Sequence, residues 1–452
     1  MRRPTRLVAA LGVLVLAGIG SASAAVKVVP TGPVYRTYVA PAGALTHAGE
    51  VSLGVNWKSG AILFQGQLET RRILIDSAGD DTWRDVTGGL TGVVTLDAIA
   101  ASDNATGRVF VSQLDGLGSL MAYTDNDGAS WSSSAGSGLP AGYDHQSVGV
   151  GPYPAGSAPT GSFPDAVYYC SQETVAALCA RSDDGGVVFG LSVAAWTTGS
   201  CGAIHGHIRV GPDGTVYVPN RSCTGRQGLA VSTDAGRTFT IRTVPGSTSG
   251  ANGDPSFATG RDGTGYFGFA DGTGRAMVSV TRTRGASWTD PYDLGKQVGV
   301  LNASFPETIA GDGDRAAVAF LGTKTAGDAQ DAAFGLNADK TRYTGAEYHL
   351  YVATTYDRGR TWKTVDATPK DPVQRGRICL AGTTCTGLDR NLLDFMDIQV
   401  DRAGRVLVGW SDGCTGACVT SDLVADNSFS DKGTLTRQSA GRGLFAKPPP
   451  LR

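Results

Sequence analysis

Short segments in which apolar and polar residues alternate run along most of the chain, and Gly-rich turns separate them. Alternation with a period of two residues is typical of half-buried β-strands. The segments form seven hairpin-like pairs, which we interpret as the two inner strands of seven repeats. The pairs are 51–57 with 61–65, 96–102 with 107–113, 145–151 with 166–171, 207–211 with 215–219, 256–259 with 264–269, 307–311 with 316–321, and 397–400 with 405–410.

A turn motif of the form S/T-x-D-x-G-x-x-W/F follows the third predicted strand of five repeats. Its Asp accepts hydrogen bonds from turn N–H groups, its Gly permits a positive φ, and its aromatic residue packs beneath the turn. Two copies carry Asn126 or Thr283 in place of the Asp, so the turn is structural rather than a set of catalytic carboxylates. Four strands in each repeat predict an all-β, seven-bladed β-propeller, with a six-bladed propeller as the alternative. The five copies lie at 124–131, 182–189, 232–239, 281–288 and 355–362.

The first residues of the chain have the order of an export signal. Three arginines precede an apolar segment at 7–19, which is followed by a small-residue A-x-A sequence at 22–24. This order predicts a secretory signal peptide at 1–24. The apolar segment is too short for a membrane span, so we expect a secreted, extracellular protein with no membrane anchor.

The rest of the chain is predicted to form one propeller domain at 25–440 and a C-terminal tail at 441–452, which we expect to fray. The 64 Gly residues fit many tight turns. The formal charge of −2 becomes −5 when the three arginines of the signal peptide are removed (−2 − 3). Nothing in this balance favours nucleic acid or an anionic membrane as a partner, and we expect a monomer.

The eight cysteines fall into four near-neighbour pairs along the chain. In an exported protein such pairs are typical of disulfides. Metal–thiolate sites are the alternative, but no CxxC pair recurs at the spacing of a zinc site. The predicted local pairs are Cys170–Cys179, Cys201–Cys223, Cys379–Cys385 and Cys414–Cys418.

The propeller topology predicts that most of the rare Glu and His residues lie at one end of the central channel. The first residues of the inner strands lie at one end of the predicted channel, which we call the mouth, and the turn motifs lie at the opposite end. The five Glu residues and the His residues concentrate on the mouth side. The period-two rule predicts two levels of side chains there. His145, His205 and Asp254 share the first level, and His207, Glu307 and Asp397 lie two residues deeper.

The five turn motifs, together with the runs HGHIRV at 205–210 and FPE at 305–307, resemble the Asp-box repeats of the sialidase superfamily. The resemblance is to secreted bacterial propellers of the exo-α-sialidase-like group. It implies hydrolysis of glycosidic bonds, with an extracellular glycan or glycoconjugate as partner. The Arg-Ile-Pro motif of the family is absent, and its arginine triad cannot be placed on this sequence residue by residue; 71–74 is a poor substitute.

Two hypotheses follow for the mouth. In the first, the protein is a glycoside hydrolase whose paired carboxylates act as acid and base or nucleophile. In the second, the same surface binds a glycan or a protein without catalysis. A polysaccharide lyase that uses a His/Tyr pair is a variant of the first, with Tyr143, His145 and His205. The candidate catalytic residues are Glu307, Asp254, Asp144, His145 and Tyr143. The candidate substrate-binding residues are His205, His207, Asp397, Arg390, Arg221 and Glu50.

No cofactor is required by either hypothesis. His205 and His207 point the same way along a strand and, with His145, could bind a metal ion. The sequence shows no set of carboxylates that completes such a shell, so we predict no catalytic metal. A structural calcium ion at the Asp-rich turns is the alternative.

Overall fold

A computed structural model describes residues 32–88, 96–115, 118–135, 144–250 and 253–451. These residues form seven antiparallel sheets. Each inner strand contacts the inner strands of the two neighbouring sheets, and the last sheet contacts the first, so the sheets close into a ring. The seven-bladed propeller is thereby confirmed, and the six-bladed alternative is excluded. The predicted signal peptide and Tyr143 lie outside the described residues.

The blades are numbered along the chain, with strands given from the channel outward. Blade 1 is Val51–Val55, Ile62–Gly66, Glu69–Ile75 and Asp81–Asp85; blade 2 is Leu96–Ser102, Val109–Asp115, Gly118–Thr124 and Ser132–Ser133; blade 3 is Asp144–Gly151, Ala166–Gln172, Ala176–Ser182 and Val193–Thr197. Blade 4 is Cys201–His205 with Arg209–Val210, Val216–Cys223, Arg226–Ser232 and Thr240–Thr243; blade 5 is Ser256–Thr259, Gly265–Ala270, Ala276–Thr281 and Tyr292–Asp293. Blade 6 is Asn302–Ala310, Ala316–Thr323, Glu347–Thr355 and Lys363–Asp366, with Gln374–Arg375 added; blade 7 is Asp397–Val400, Val406–Asp412, Lys432–Ala440 and Val34–Val39.

The helical elements in these ranges are short 3-10 turns. They are Lys296–Val298, Gly382–Thr384, Leu388–Arg390, Gly416–Val419 and Val424–Asp426. In the part of the chain that the structure describes, no helix has the length and apolar character needed to cross a membrane.

The ring closes through a strand that the sequence pattern did not predict. Val34–Val39 pairs antiparallel with Lys432–Ala440 and forms the outer strand of blade 7, with Tyr38 opposite Leu435. The first and last strands of the propeller are therefore hydrogen-bonded to each other. Unfolding of this blade must separate the first strand of the domain from the last, so we expect the ring to unfold cooperatively.

Apolar side chains of the middle strands pack between neighbouring blades. Between blades 2 and 3, for example, Phe110, Val148 and Tyr169 are all buried in one cluster. Burial of a side chain of this size stabilises the fold by about 1.5–3 kcal/mol. Each blade thus depends on its neighbours, because a single four-stranded sheet has two apolar faces to cover.

The turn motifs share one hydrogen-bond pattern, as Ser182, Asp184 and Gly186 illustrate. The Ser182 hydroxyl accepts the Gly186 N–H at 2.8 Å, and Asp184 Oδ1 accepts the Val188 N–H at 3.0 Å. Gly186 has φ +84°, and a Cβ there would lie 2.7 Å from the Phe110 ring of the preceding blade. The motif is therefore a structural contact between blades, as the loss of its Asp in two copies indicated.

All four predicted disulfides are confirmed. One disulfide, Cys170–Cys179, links neighbouring strands within blade 3, and another, Cys201–Cys223, does so within blade 4. The other two close short loops on the mouth side and are Cys379–Cys385 and Cys414–Cys418. The described residues contain no free cysteine. Four disulfides fit a protein exported to an oxidising compartment.

The C-terminal tail does not fray as expected. Leu444 and Phe445 are buried, and the Leu444 carbonyl accepts the Asp312 N–H at 2.9 Å. Phe445 packs edge-on against Trp57 of blade 1 with ring centroids 5.5 Å apart. The prediction of a frayed tail was wrong because it rested on the proline run and did not consider Leu444 and Phe445, which are both buried; Phe445 lines the channel at the end opposite the mouth.

Candidate functional site

Backbone bulges place the ionisable side chains at the mouth. Asp97, His145 and Phe305 occupy equivalent positions on the inner strands of blades 2, 3 and 6, and each has a positive φ between 51° and 57°. The pairing register of all three strands shifts at these points. A bulge bends a strand and turns its side chain away from the regular alternation. The local backbone therefore brings side chains of different blades together at the channel end.

The inner strand of blade 4 is interrupted at the same height. It was predicted to begin at His207, but it begins at Cys201 and breaks between His205 and Arg209. Gly206 lies in the break, and a Cβ there would lie 1.9 Å from the Pro255 carbonyl oxygen of blade 5. Only glycine permits this approach. It separates His205, whose ring packs edge-on against Trp196 of the outer strand of blade 3, from His207, which lies within the break.

The first group of side chains, which we call the mouth level, centres on an imidazole–carboxylate pair. His145 Nδ1 of blade 3 lies 2.7 Å from Asp254 Oδ2 of blade 5, so the pair spans the intervening blade 4. His145 Nδ1 also lies 3.2 Å from the His205 carbonyl oxygen. His145 Nε2 makes no hydrogen bond, and the nearest carboxylate oxygen to it is Asp144 Oδ1 at 3.7 Å. Asp144 is the exposed member, with 49% of its side-chain surface accessible.

The electrostatics of the pair favour a charged imidazole. Burial by itself lowers the pKa of His145, but the carboxylates of Asp254, Asp144 and Asp97 outweigh burial and hold the pKa well above its usual value. By contrast, burial lowers the pKa of the neighbouring His205 to about 4. These opposite shifts favour the protonated form of His145 and the neutral form of His205.

Two further carboxyl groups complete the mouth level. Glu50 Oε2 accepts the Asp97 N–H at 2.6 Å, and Asp97 Oδ2 accepts the His145 N–H at 3.0 Å, so the chain of bonds links blades 1, 2 and 3. Burial raises the pKa of Asp97 to about 6. Burial and the Asp97 and Asp394 carboxylates raise the pKa of Glu50 well above its usual value. These groups tie neighbouring blades together.

The second group, the inner level, consists of His207, Glu307 and Asp397. One ligand-type atom of each lies within 4.8 Å of those of the other two, and His207 Nδ1 is 4.0 Å from Glu307 Oε1. Asp397 Oδ1 is 3.7 Å from an Arg209 guanidinium nitrogen. Burial, with the nearby Arg209 charge, lowers the pKa of His207 well below its usual value. Burial and the Asp397 carboxylate raise the pKa of Glu307 well above its usual value.

Arg209 is a site residue that the sequence analysis did not single out. It continues the period-two series His205, His207, Arg209 in the run at 205–210, which was the available signal. Its Nε and one terminal nitrogen are buried without hydrogen-bond partners. It also borders a cavity of about 360 Å³ on the channel axis, whose far end is closed by Phe445, Pro449 and Pro450 of the tail.

The other predicted arginines do not form a cluster at the two levels, although the Arg390 charge lies close enough to Glu50 and Asp97 to interact with them. Arg390 pairs with the Asp394 carboxylate through two nitrogens, and Arg221 makes no salt bridge with a described residue. Of the remaining mouth-face arginines, two are also paired: Arg375 with Glu347, and Arg377 with Asp389. The described arginines in these loops are therefore mostly held by protein carboxylates, unlike a cluster that would bind a sugar carboxylate.

Comparisons with known proteins support the fold and no narrower class. No protein-family model matches the chain, and no curated protein is found to match it. A streptogramin B lyase structure aligns with a TM-score of 0.50 and 10% identity, covering 89% of this chain and 96% of its own. A virginiamycin B lyase from Staphylococcus aureus has a TM-score of 0.49 and 12% identity, covering 89% and 98%. An Aleuria aurantia lectin has a TM-score of 0.43 and 10% identity, covering 70% and 94%.

The ring of sheets and the first of these likenesses define the class. The protein is a seven-bladed β-propeller with ionisable residues concentrated at one end of its channel. At 10% identity the likeness concerns the fold alone, and a propeller fold supports many unrelated functions. The function therefore depends on the chemistry of the side chains at the mouth and inner levels.

Proposed function

We propose that the protein cleaves glycans at the mouth, with Asp144 as the catalytic carboxyl group and His145 and Asp254 as positioning residues. The observation that carries the proposal is the His145–Asp254 pair. It holds an imidazole by one nitrogen at 2.7 Å and leaves the other unpaired beside an exposed carboxylate. Glycans as the substrate class rest on the resemblance of the turn motifs to Asp-box repeats.

The arrangement suits proton transfer to a leaving group. Protonated His145 stores a proton 3.7 Å from Asp144, and catalytic hydrogen bonds of this length commonly shorten when substrate binds. Asp144 passes this proton to the glycosidic oxygen as the bond to the sugar breaks. Attack by water completes the hydrolysis, and the proton released by the water restores the charge of His145. Asp254 keeps the imidazole oriented throughout, the role that a buried carboxylate has beside a catalytic histidine.

A non-catalytic glycan-binding propeller is the second candidate, and a specific observation favours it. The carboxylates of Glu50, Asp97 and Asp397 are nearly fully buried, and each accepts a backbone N–H of the following blade. Groups engaged in this way hold blades together and do not require a reaction to explain them. On this reading Asp144 would only accept hydrogen bonds from sugar hydroxyl groups.

The variant Asp144→Asn separates the two candidates, because the side chain is half-exposed and its loss should leave the fold intact. The wild-type protein and the variant are first screened on a glycan array. Products from each bound glycan are then analysed by mass spectrometry. If the proposal holds, the wild type forms product and Asp144→Asn retains binding while losing turnover by about 10² or more.

Asp125→Asn is the matched control. Asp125 is also exposed, at 59% of its side-chain surface, but it lies in the turn motif at 124–131, at the other end of the channel, where it pairs with Arg108. Its activity should equal that of the wild type. Binding of glycans by the wild type without any product, with affinity lost in Asp144→Asn, would establish the binding module instead. A product with an unsaturated sugar end would show elimination rather than hydrolysis.

A further inference from the structure

The inner level contains a set of donors that the scheme above does not use. His207, Glu307 and Asp397 come from blades 4, 6 and 7, and their nearest donor atoms all lie within 4.8 Å of one another. From the sequence, His207, Glu307 and Asp397 were expected at one level, but only histidines were considered as metal ligands. The fold supplies two, because the inner strands of these blades meet across the channel.

One oxygen of Glu307 is buried without a partner, and the imidazole of His207 lies close to the same carboxyl group. Glu307 Oε2 is shielded from water and makes no hydrogen bond within the described structure. The His207 side chain is 10% exposed, and its nearest carboxylate oxygen is Glu307 Oε1 at 4.0 Å, too long for a hydrogen bond. Buried polar groups are rarely left unpaired, since each costs about 1–3 kcal/mol. The geometry therefore leaves room for a missing ligand between the imidazole and the carboxylate.

The third donor is held in place by its surroundings. Asp397 Oδ2 accepts the Leu53 N–H at 2.8 Å and the Ser52 hydroxyl at 3.0 Å. Both bonds go to Oδ2, whereas Oδ1 accepts only a long bond from Gln399 Nε2 at 3.4 Å and lies 3.7 Å from Arg209. Metal-binding carboxylates are commonly oriented in this way by hydrogen bonds to the oxygen that does not bind the metal.

We infer that His207, Glu307 and Asp397 bind a divalent transition-metal ion, with Zn²⁺ as the representative ion. One imidazole nitrogen and two carboxylate oxygens are the mixed donor set that such ions accept, whereas Ca²⁺ and Mg²⁺ favour shells made of oxygen alone. Three protein ligands leave at least one position open. Arg209, whose unpaired nitrogens lie beside Asp397, favours an anionic group in that position.

The inference concerns the inner level and does not depend on glycan cleavage at Asp144. The site would tie blades 4, 6 and 7 together across the channel. Because the ion binds only the folded ring, it should stabilise the domain in proportion to the logarithm of its free concentration.

Zinc binding can be measured directly on the full exported protein. The protein is treated with EDTA, transferred to chelator-free buffer and titrated calorimetrically with ZnCl₂. We expect one Zn²⁺ per chain and a rise in Tm of the wild type with added Zn²⁺. His207→Gln and Glu307→Gln should each weaken binding at least tenfold and abolish the rise in Tm. His47→Gln, which alters an exposed histidine paired with Asp431, is the control and should bind as the wild type does.

Soaking crystals of the wild type in ZnCl₂ provides a second test, which does not depend on whether the variants fold. An anomalous-scattering peak among His207, Glu307 and Asp397 is expected at the zinc absorption edge. The inference is overturned by a wild type that binds no Zn²⁺, by a peak at other residues, or by unchanged Zn²⁺ affinity in both folded variants.

Discussion

The mouth and inner levels contain histidines that are almost equally shielded from water but differ in charge. His145 is 5% exposed and His207 is 8% exposed. His145 lies 2.7 Å from a carboxylate of another blade, whereas His207 has its nearest carboxylate at 4.0 Å and Arg209 close by. The pKa is raised in the first and lowered in the second. Burial lowers the pKa of both imidazoles, and only His145 has carboxylates close enough to outweigh that effect.

This difference separates the chemistry of the two levels. A protonated imidazole beside an exposed carboxylate can supply protons to a substrate, as proposed for Asp144. A neutral imidazole beside two carboxyl groups is suited to binding a cation, as inferred for the inner level. The same residue type serves both because the blades place different neighbours around it.

The largest expected effect is on stability. His145→Gln leaves the Asp254 carboxylate buried without its counter-ion, a change that costs about 3–5 kcal/mol in comparable cases. His207→Gln, measured without added metal, breaks no ion pair and loses mainly the edge-on contact with Phe395, so we expect a cost of about 1 kcal/mol. Urea unfolding at neutral pH with EDTA measures both. Equal losses in the two variants would show that the His145–Asp254 pair contributes no specific stabilisation.

A smaller effect is expected in the pH dependence of that stability. The folded pKa of His145 lies well above its unfolded value of about 6.5. Its contribution is therefore complete below about pH 6.5 and declines as the pH rises through the folded pKa, by up to about 1.4 kcal/mol for each pH unit. The difference in unfolding free energy between wild type and His145→Gln should thus shrink from about pH 6 to about pH 9. A difference that stays constant or grows over this range would contradict a raised pKa.

Much of the fold was predictable from the sequence. The period-two segments located an inner hairpin in every blade, although in blade 4 only Arg209–Val210 of the predicted segment pairs with the second strand. The near-neighbour cysteines gave all four disulfides. Both kinds of prediction depend on residues close together in the chain. The N-terminal strand Val34–Val39 was missed because its partner, Lys432–Ala440, lies at the other end of the chain. A local sequence pattern carries no information about pairing between residues that are so far apart in the chain.

The candidate site was predictable in its position but not in its contacts. Counting residues from the inner-strand starts placed His145, His205 and Asp254 at one level and His207, Glu307 and Asp397 deeper. The structure brings His145 to Asp254 and the three deeper residues to one another, whereas His205 contacts His145 through its carbonyl oxygen and its ring packs against Trp196. Bulges and the break at Gly206 determine which of these side chains meet. Those features depend on the approach of neighbouring backbones, such as the Pro255 carbonyl beside Gly206, and the sequence does not encode them locally.

The most direct test of the account is the charge of the His145 ring, read from its ¹⁵N chemical shifts by NMR. In the wild type at neutral pH we expect both ring nitrogens of His145 to be protonated, with Nδ1–H donating to Asp254, while His205 stays neutral until the pH falls to about 4. In Asp254→Asn the His145 ring should lose its proton at a lower pH than in the wild type. A neutral His145 in the wild type, or a charge unchanged by Asp254→Asn, would contradict the claim that Asp254 makes His145 the proton store of the mouth.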